Sequence, residues 1–80
     1  MERNYRTDSI EAVKELCRIC SSQIHDVDVR TTKSHKIVNG KSILGLFSVN
    51  LNEGFVVKLY TDDCQDANEF FKQLDQLFGV

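Results

Sequence analysis

Three cysteines, two histidines, a serine set just after a glycine turn and a knot of aspartates are the side chains of this chain best suited to chemistry. Cys17 and Cys20 form a Cys-x-x-Cys, the spacing used for thiol–disulfide exchange and for half of a zinc site. Exchange chemistry wants the pair at a helix N-terminus, where the helix dipole favours the thiolate. Here the pair falls in the last turns of a helix and inside its apolar arc, so both read as small buried core residues. A zinc site would need a second pair at ligand spacing, and only Cys64, His25 and His35 are available. No metal and no cofactor is expected. Cys64 starts the last helix and is the thiol expected to keep some reactivity. His25 and His35 lie in strand and turn contexts without convergent partners, and Asp62, Asp63 and Asp66 read as a capping cluster. No catalytic residue is assigned.

The elements that hold these residues follow from periodicity. Met1 to Arg6 alternates weakly and is at best a short edge strand. Asp8 stands three residues before Glu11, a capping-box spacing. From Ser9 to Ser22, Ile10, Val13, Leu16, Cys17 and Cys20 share one helical face, with Glu11, Lys14, Glu15 and Arg18 opposite. From His25 the period becomes two, with Val27, Val29 and Thr31 facing one way; His35 to Val38 returns as the second arm of a hairpin. Gly54 to Thr61 is β-branched and aromatic, the strongest strand and the one expected at the centre. Asp62 and Asp63 cap a final helix in which Ala67, Phe70, Phe71, Leu74, Leu77 and Phe78 recur at i, i+3, i+4, i+7.

Eighty residues suffice for one domain, 1–80, with a single two-layer core. A net charge of -2 and a pI near 5.6, with charges interspersed, supply no basic stripe for a nucleic-acid backbone. No apolar run is long enough to cross a bilayer and no secretory signal opens the chain, so a soluble cytoplasmic protein without membrane contact is expected. Three cysteines without disulfide-scaffold density imply free thiols in a reducing compartment.

The remaining stretch, Val38 to Leu51, contains a turn at Asn39-Gly40, a helix cap at Ser42, a short apolar run of Ile43, Leu44, Leu46 and Phe47, and a second turn at Asn50, Asn52 and Gly54. Ser42 should start a helix of about two turns. So short a helix cannot bury all four large apolar groups in one core, and one side should stay exposed. The order of elements is β-α-β-β-α-β-α. Alternating strands have one wet face, so the helices cover the other, which gives a two-layer α+β open-faced sandwich with an antiparallel sheet.

Val38 to Leu46 resembles the regulatory-serine segment of HPr, the small phosphocarrier of the bacterial sugar phosphotransferase system, where a Val-Asn-x-Lys-Ser-Ile-x-Gly pattern is typical. The resemblance extends less specifically from the first helix to the C-terminus and implies a sheet order of 1-4-2-3. It also implies that Ser42 is a target of a dedicated serine kinase, with Lys41 beside the phosphate. It implies further that the positions of Lys41, Ser42, Ile43, Leu44 and Phe47 dock partner proteins such as a kinase or a transcriptional or transport regulator.

The resemblance fails where the family's chemistry resides. HPr carries its phosphoryl group on a histidine at the N-terminus of the first helix, in a Gly-x-His-Ala-Arg-Pro-like loop, where helix N–H groups and an arginine favour the anion. The matching segment here is Arg6-Thr7-Asp8-Ser9-Ile10-Glu11, with no histidine or proline and with two acids. His25 lies about 20 Å away, at the other end of that helix. The expectation is a non-carrier regulatory or interaction module linked to the phosphotransferase system. The alternatives are a phosphocarrier with an unusual acceptor such as His35, or a small-molecule-binding α+β domain. The protein should be a monomer or self-associate weakly, because a poor first strand would leave the edge of Gly54–Thr61 open.

Overall fold

Phe55–Leu59 is the strand against which the rest is assembled: its alternate residues Phe55, Val57 and Leu59 are fully buried. The computed structural model describes residues 1–80. In chain order the elements are β1 (Glu2–Tyr5), α1 (Ile10–Ser21), β2 (Val27–Thr31), β3 (Ile37–Asn39), α2 (Ile43–Phe47), a 3-10 turn (Leu51–Glu53), β4 (Phe55–Leu59) and α3 (Cys64–Phe78). The four strands form one antiparallel sheet in the order β1-β4-β2-β3. The fold is therefore the two-layer α+β architecture expected from patterning, with the sheet order implied by the resemblance.

One core joins the layers. Val13, Leu16, Ile19 and Cys20 of α1 and Ala67, Phe70, Phe71 and Leu74 of α3 meet Val27 and Val29 of β2 and the inner residues of β4. Ser9, rather than the Asp8 of the sequence reading, caps α1: its side chain accepts the Ala12 N–H at 3.2 Å. Ile10 is 62 % exposed at the first helical position, and Ile19 takes the expected place of Cys17, which lies at the margin of the core. Asp63 caps α3 by accepting from the N–H groups of Gln65 and Asp66.

The expected gap at the edge of β4 is closed. β1 pairs with β4 from Glu2 opposite Lys58 to Tyr5 opposite Phe55, and the ladder continues beyond it: the Met1 amino group donates to the Leu59 carbonyl, and the Leu59 N–H donates to the Met1 carbonyl. Side-chain anchors explain why so poor a strand holds. The Tyr5 hydroxyl donates to Asp75 at 2.7 Å, the Arg3 guanidinium donates to the same carboxylate and sits 5.1 Å above the Phe71 ring, and Tyr5 packs on Phe55 and Phe78. Unpaired β4 backbone therefore offers no basis for self-association.

Candidate functional site

α2 is five residues long, shorter than the two turns expected, and its capping explains both ends. Ser42 Oγ accepts the Gly45 N–H at 3.1 Å and starts the helix. Ser48 stops it, because its N–H and its hydroxyl both donate to the Gly45 carbonyl, at 3.1 and 2.6 Å. One turn can send one large side chain inward. That side chain is Leu46, 1 % exposed, whereas Ile43, Leu44 and Phe47 are 37, 81 and 46 % exposed. These three form the apolar surface that the length of the helix demanded.

The segment before α2 is fastened to the C-terminal end of α1. Gly40 donates to the Val27 carbonyl at 2.8 Å, and a Cβ at position 40 would come within 2.9 Å of Val27 Cγ1 and 3.1 Å of Cys20 Sγ, so only glycine passes there. Lys41 Nζ donates to the Gln23 carbonyl at 2.7 Å, and the Lys41 carbonyl lies 3.6 Å from Cys17 Sγ. Lys41 is adjacent to Ser42 in the chain, and its ammonium is engaged by the end of α1. Lys41 acts here as a strut. Ser42 itself is partly exposed.

Ile10 and Ile24 are two further exposed apolar side chains that periodicity does not mark as exposed. Ile10 and Phe47 line a groove of about 280 Å³ between the start of α1 and the end of α2, floored by Val13, Leu46 and Leu51, with Thr7, Asp8, Ser9 and Asn50 on its rim. Ile24, 88 % exposed, follows the Gln23 that holds Lys41. Helical phase assigned Ile10 to the core; its position in the first turn, before the buried stripe begins at Val13, is what exposes it.

No imidazole lines that groove. His25 follows α1, where Nε2 is 3.0 Å from Asp66 Oδ2 in the first turn of α3. His35 lies at the tip of the β2–β3 hairpin, bordering a depression with Arg30, Val56 and Asn4. The cysteines are apart in character. Cys20 is fully buried, and burial, followed by the neighbouring Cys17, pushes its thiol up to about 12; Cys17 is partly exposed and Cys64 exposed.

Comparison with solved structures places this arrangement. HPr-C-His from Thermoanaerobacter tengcongensis matches with a TM-score of 0.73 and 20 % identity, over 100 % of this chain and 97 % of that one. The phosphocarrier protein HPr from Bacillus anthracis matches with a TM-score of 0.71 and 16 % identity, over 98 and 95 %. The histidine-containing phosphocarrier protein of Mycoplasma matches with a TM-score of 0.72 and 16 % identity, over 98 and 97 %. No characterised protein sequence matches significantly. At these identities the structures establish the fold. The sequence signature comes from the family model for the PTS HPr component phosphorylation site, which matches residues 9–79. A signature spanning α1 to the end of α3, on a sheet of order 1-4-2-3, makes this chain a member of the HPr family of the phosphotransferase system.

Proposed function

We propose that this HPr-family chain is a non-carrier member that acts through protein contacts on α2, with Ser42 as its regulatory phosphorylation site. The observation that carries the reading is the pairing of two features on one side of the molecule. The start of α1 presents Thr7, Asp8, Ser9 and Glu11 without an imidazole, and the adjoining α2 leaves Ile43, Leu44 and Phe47 in solvent. The first feature removes the nucleophilic ring nitrogen and puts negative charge where an incoming phosphoryl group would meet repulsion. The second retains what docking requires, a small apolar cluster on a rigid element.

Lys41, Ser42, Ile43, Leu44 and Phe47 form the proposed contact set. Lys41 contributes by fixing the approach to α2 through Gln23, and the other four face the partner. A phosphate on Ser42 adds close to two negative charges at the margin of the apolar cluster, enough to change which partner it accepts. The proposed partners are a serine kinase and a transcriptional or transport regulator, all proteins.

The test is incubation with the general phosphotransferase enzyme and phosphoenolpyruvate, followed by phosphate analysis. The expected result is no acid-labile, base-stable phosphate on the chain. Stoichiometric phosphohistidine would overturn the non-carrier reading, and its position on His25 or His35 would identify the acceptor.

A further inference from the structure

The β2–β3 hairpin concentrates positive charge in a protein whose net charge is -2. Arg30, Lys33 and Lys36 lie within seven residues, and none forms an ion pair: the four in the molecule are Arg3–Asp75, Lys14–Glu11, Arg18–Glu15 and His25–Asp66. The carboxylate nearest the hairpin tip is already occupied. Glu53 Oε1 accepts from the N–H groups of Lys33 and Ser34 and from the Ser34 hydroxyl, at 3.2, 2.9 and 2.9 Å, and these bonds to Ser34 first of all hold its pKa below the usual carboxylate range. With the Lys36 N–H donating to Thr31 Oγ1 at 2.9 Å, this frame holds His35 at φ 55°, in the left-handed region that only glycine enters freely.

Beside this frame the face of the sheet that no helix covers carries an open depression, and of the three hairpin cations only Arg30 lines it, opposite Glu2. Val56 forms its floor, the cross-strand neighbours Asn4 and Arg30 its sides, and His35 and Glu2 its rim; its volume is about 530 Å³. The exposed side chains of Asn4, Arg30 and His35 make no hydrogen bond within the chain, so a guanidinium, an amide and an imidazole border one depression with donors free. A forked guanidinium beside an amide suits an oxyanion, which can accept from both at once. We infer that the depression formed by Arg30, His35, Asn4 and Val56 binds a small oxyanion, the phosphate of a small ester or a carboxylate. Glu2 limits its affinity. The site is independent of the α2 surface and lies on the opposite layer.

Nuclear magnetic resonance titration of the full chain with inorganic phosphate, and separately with malonate, tests this at an ionic strength held constant with chloride. The expected result is saturable one-site binding, with shifts centred on the Asn4 amide, Arg30 Nε and His35. Arg30→Gln should weaken it at least about fivefold, and Glu2→Gln should tighten it about two- to fivefold, the effect of one solvent-exposed charge. His35→Gln provides a second variant that keeps the fold. Saturation by phosphate alone assigns the ester, and saturation by both assigns a general oxyanion site. Shifts that chloride reproduces, that Arg30→Gln leaves unchanged, or that centre on Thr7 to Glu11 would overturn the inference.

Discussion

Leu44 and Leu46 stand two residues apart on one turn of helix, and their replacement by alanine should have opposite consequences. Leu46 is 1 % exposed and belongs to the core cluster, so Leu46→Ala should cost about 2 to 5 kcal/mol. Leu44 is 81 % exposed. Complete burial of a leucine side chain is worth about 1.5 to 3 kcal/mol, so the fifth that is covered supplies only about 0.3 to 0.6 kcal/mol. Urea unfolding followed by circular dichroism resolves the difference. With a slope of about 1 kcal/mol/M, Leu46→Ala should lower the midpoint by about 2 M or more and Leu44→Ala by about 0.5 M. The same arithmetic works in reverse on binding. A partner that covers the remaining four fifths of Leu44 gains about 1.2 to 2.4 kcal/mol, so Leu44→Ala should weaken docking roughly ten- to fiftyfold. The readout is kcat/KM for phosphorylation of Ser42 by a serine kinase. Equal destabilisation by the two substitutions would refute the assigned phase of α2. Unchanged kinase kinetics with Leu44→Asp would refute docking on this helix.

Three further outcomes follow from the packing. Leu74→Ala should cost about 2 to 5 kcal/mol, because Leu74 is fully buried among α1, α3 and the sheet; a native-like thermal midpoint would show the phase of α3 to be wrong. A thiol reagent at neutral pH, read by mass spectrometry, should label exposed Cys64 first, Cys17 later and Cys20 only through unfolding, since Cys20 is both inaccessible and held as the thiol; native-state labelling of Cys20 at the rate of Cys64 would contradict its burial. Tyr5→Phe should cost about 1.5 to 3 kcal/mol by removing the hydrogen bond to the Asp75 carboxylate. Burial and Asp75 raise the Tyr5 pKa, so that contribution should be complete below about pH 10 and lost as pH rises further. The alkaline limb of a stability profile should be flatter in Tyr5→Phe than in the parent.

Most of the scaffold was legible because it rests on local periodicity. α3 and β4 carry their large apolar residues at unambiguous spacings, and once α3, α1 and β4 are placed only one side of the sheet can be covered. What sequence could not show is pairing across long separations. Tyr5 and Arg3 meet Asp75 some seventy residues away, and His25 meets Asp66 across the ends of two helices. Because those anchors are invisible to a reading of β-propensity, the first strand looked too weak to close β4. In the structure it closes the whole strand and adds Met1.

The candidate surface divides along the same line. Exposure on α2 could be argued from arithmetic alone, since Ser42 starts the helix, Asn50 lies beyond it, and a single turn cannot turn four large side chains inward. The local capping only sharpens that argument: Ser48 ends the helix early, so Phe47 has no following turn to cover it. The place of Lys41 depends instead on where α1 ends in space. A lysine beside a serine suggests a counter-ion for its phosphate, but the Gln23 carbonyl, one of the last acceptors beyond α1, lies 2.7 Å from the ammonium and has no other donor from the helix ladder. A helix C-terminus favours a cation for reasons of its own dipole. Freeing Lys41 for a phosphate at Ser42 would forfeit that bond, so phosphorylation must either leave α1 and the turn joined or loosen the junction that Gly40 fits so closely. The second course would move α2 and its three exposed apolar groups together, which ties the charge on Ser42 to the geometry of the surface a partner would read.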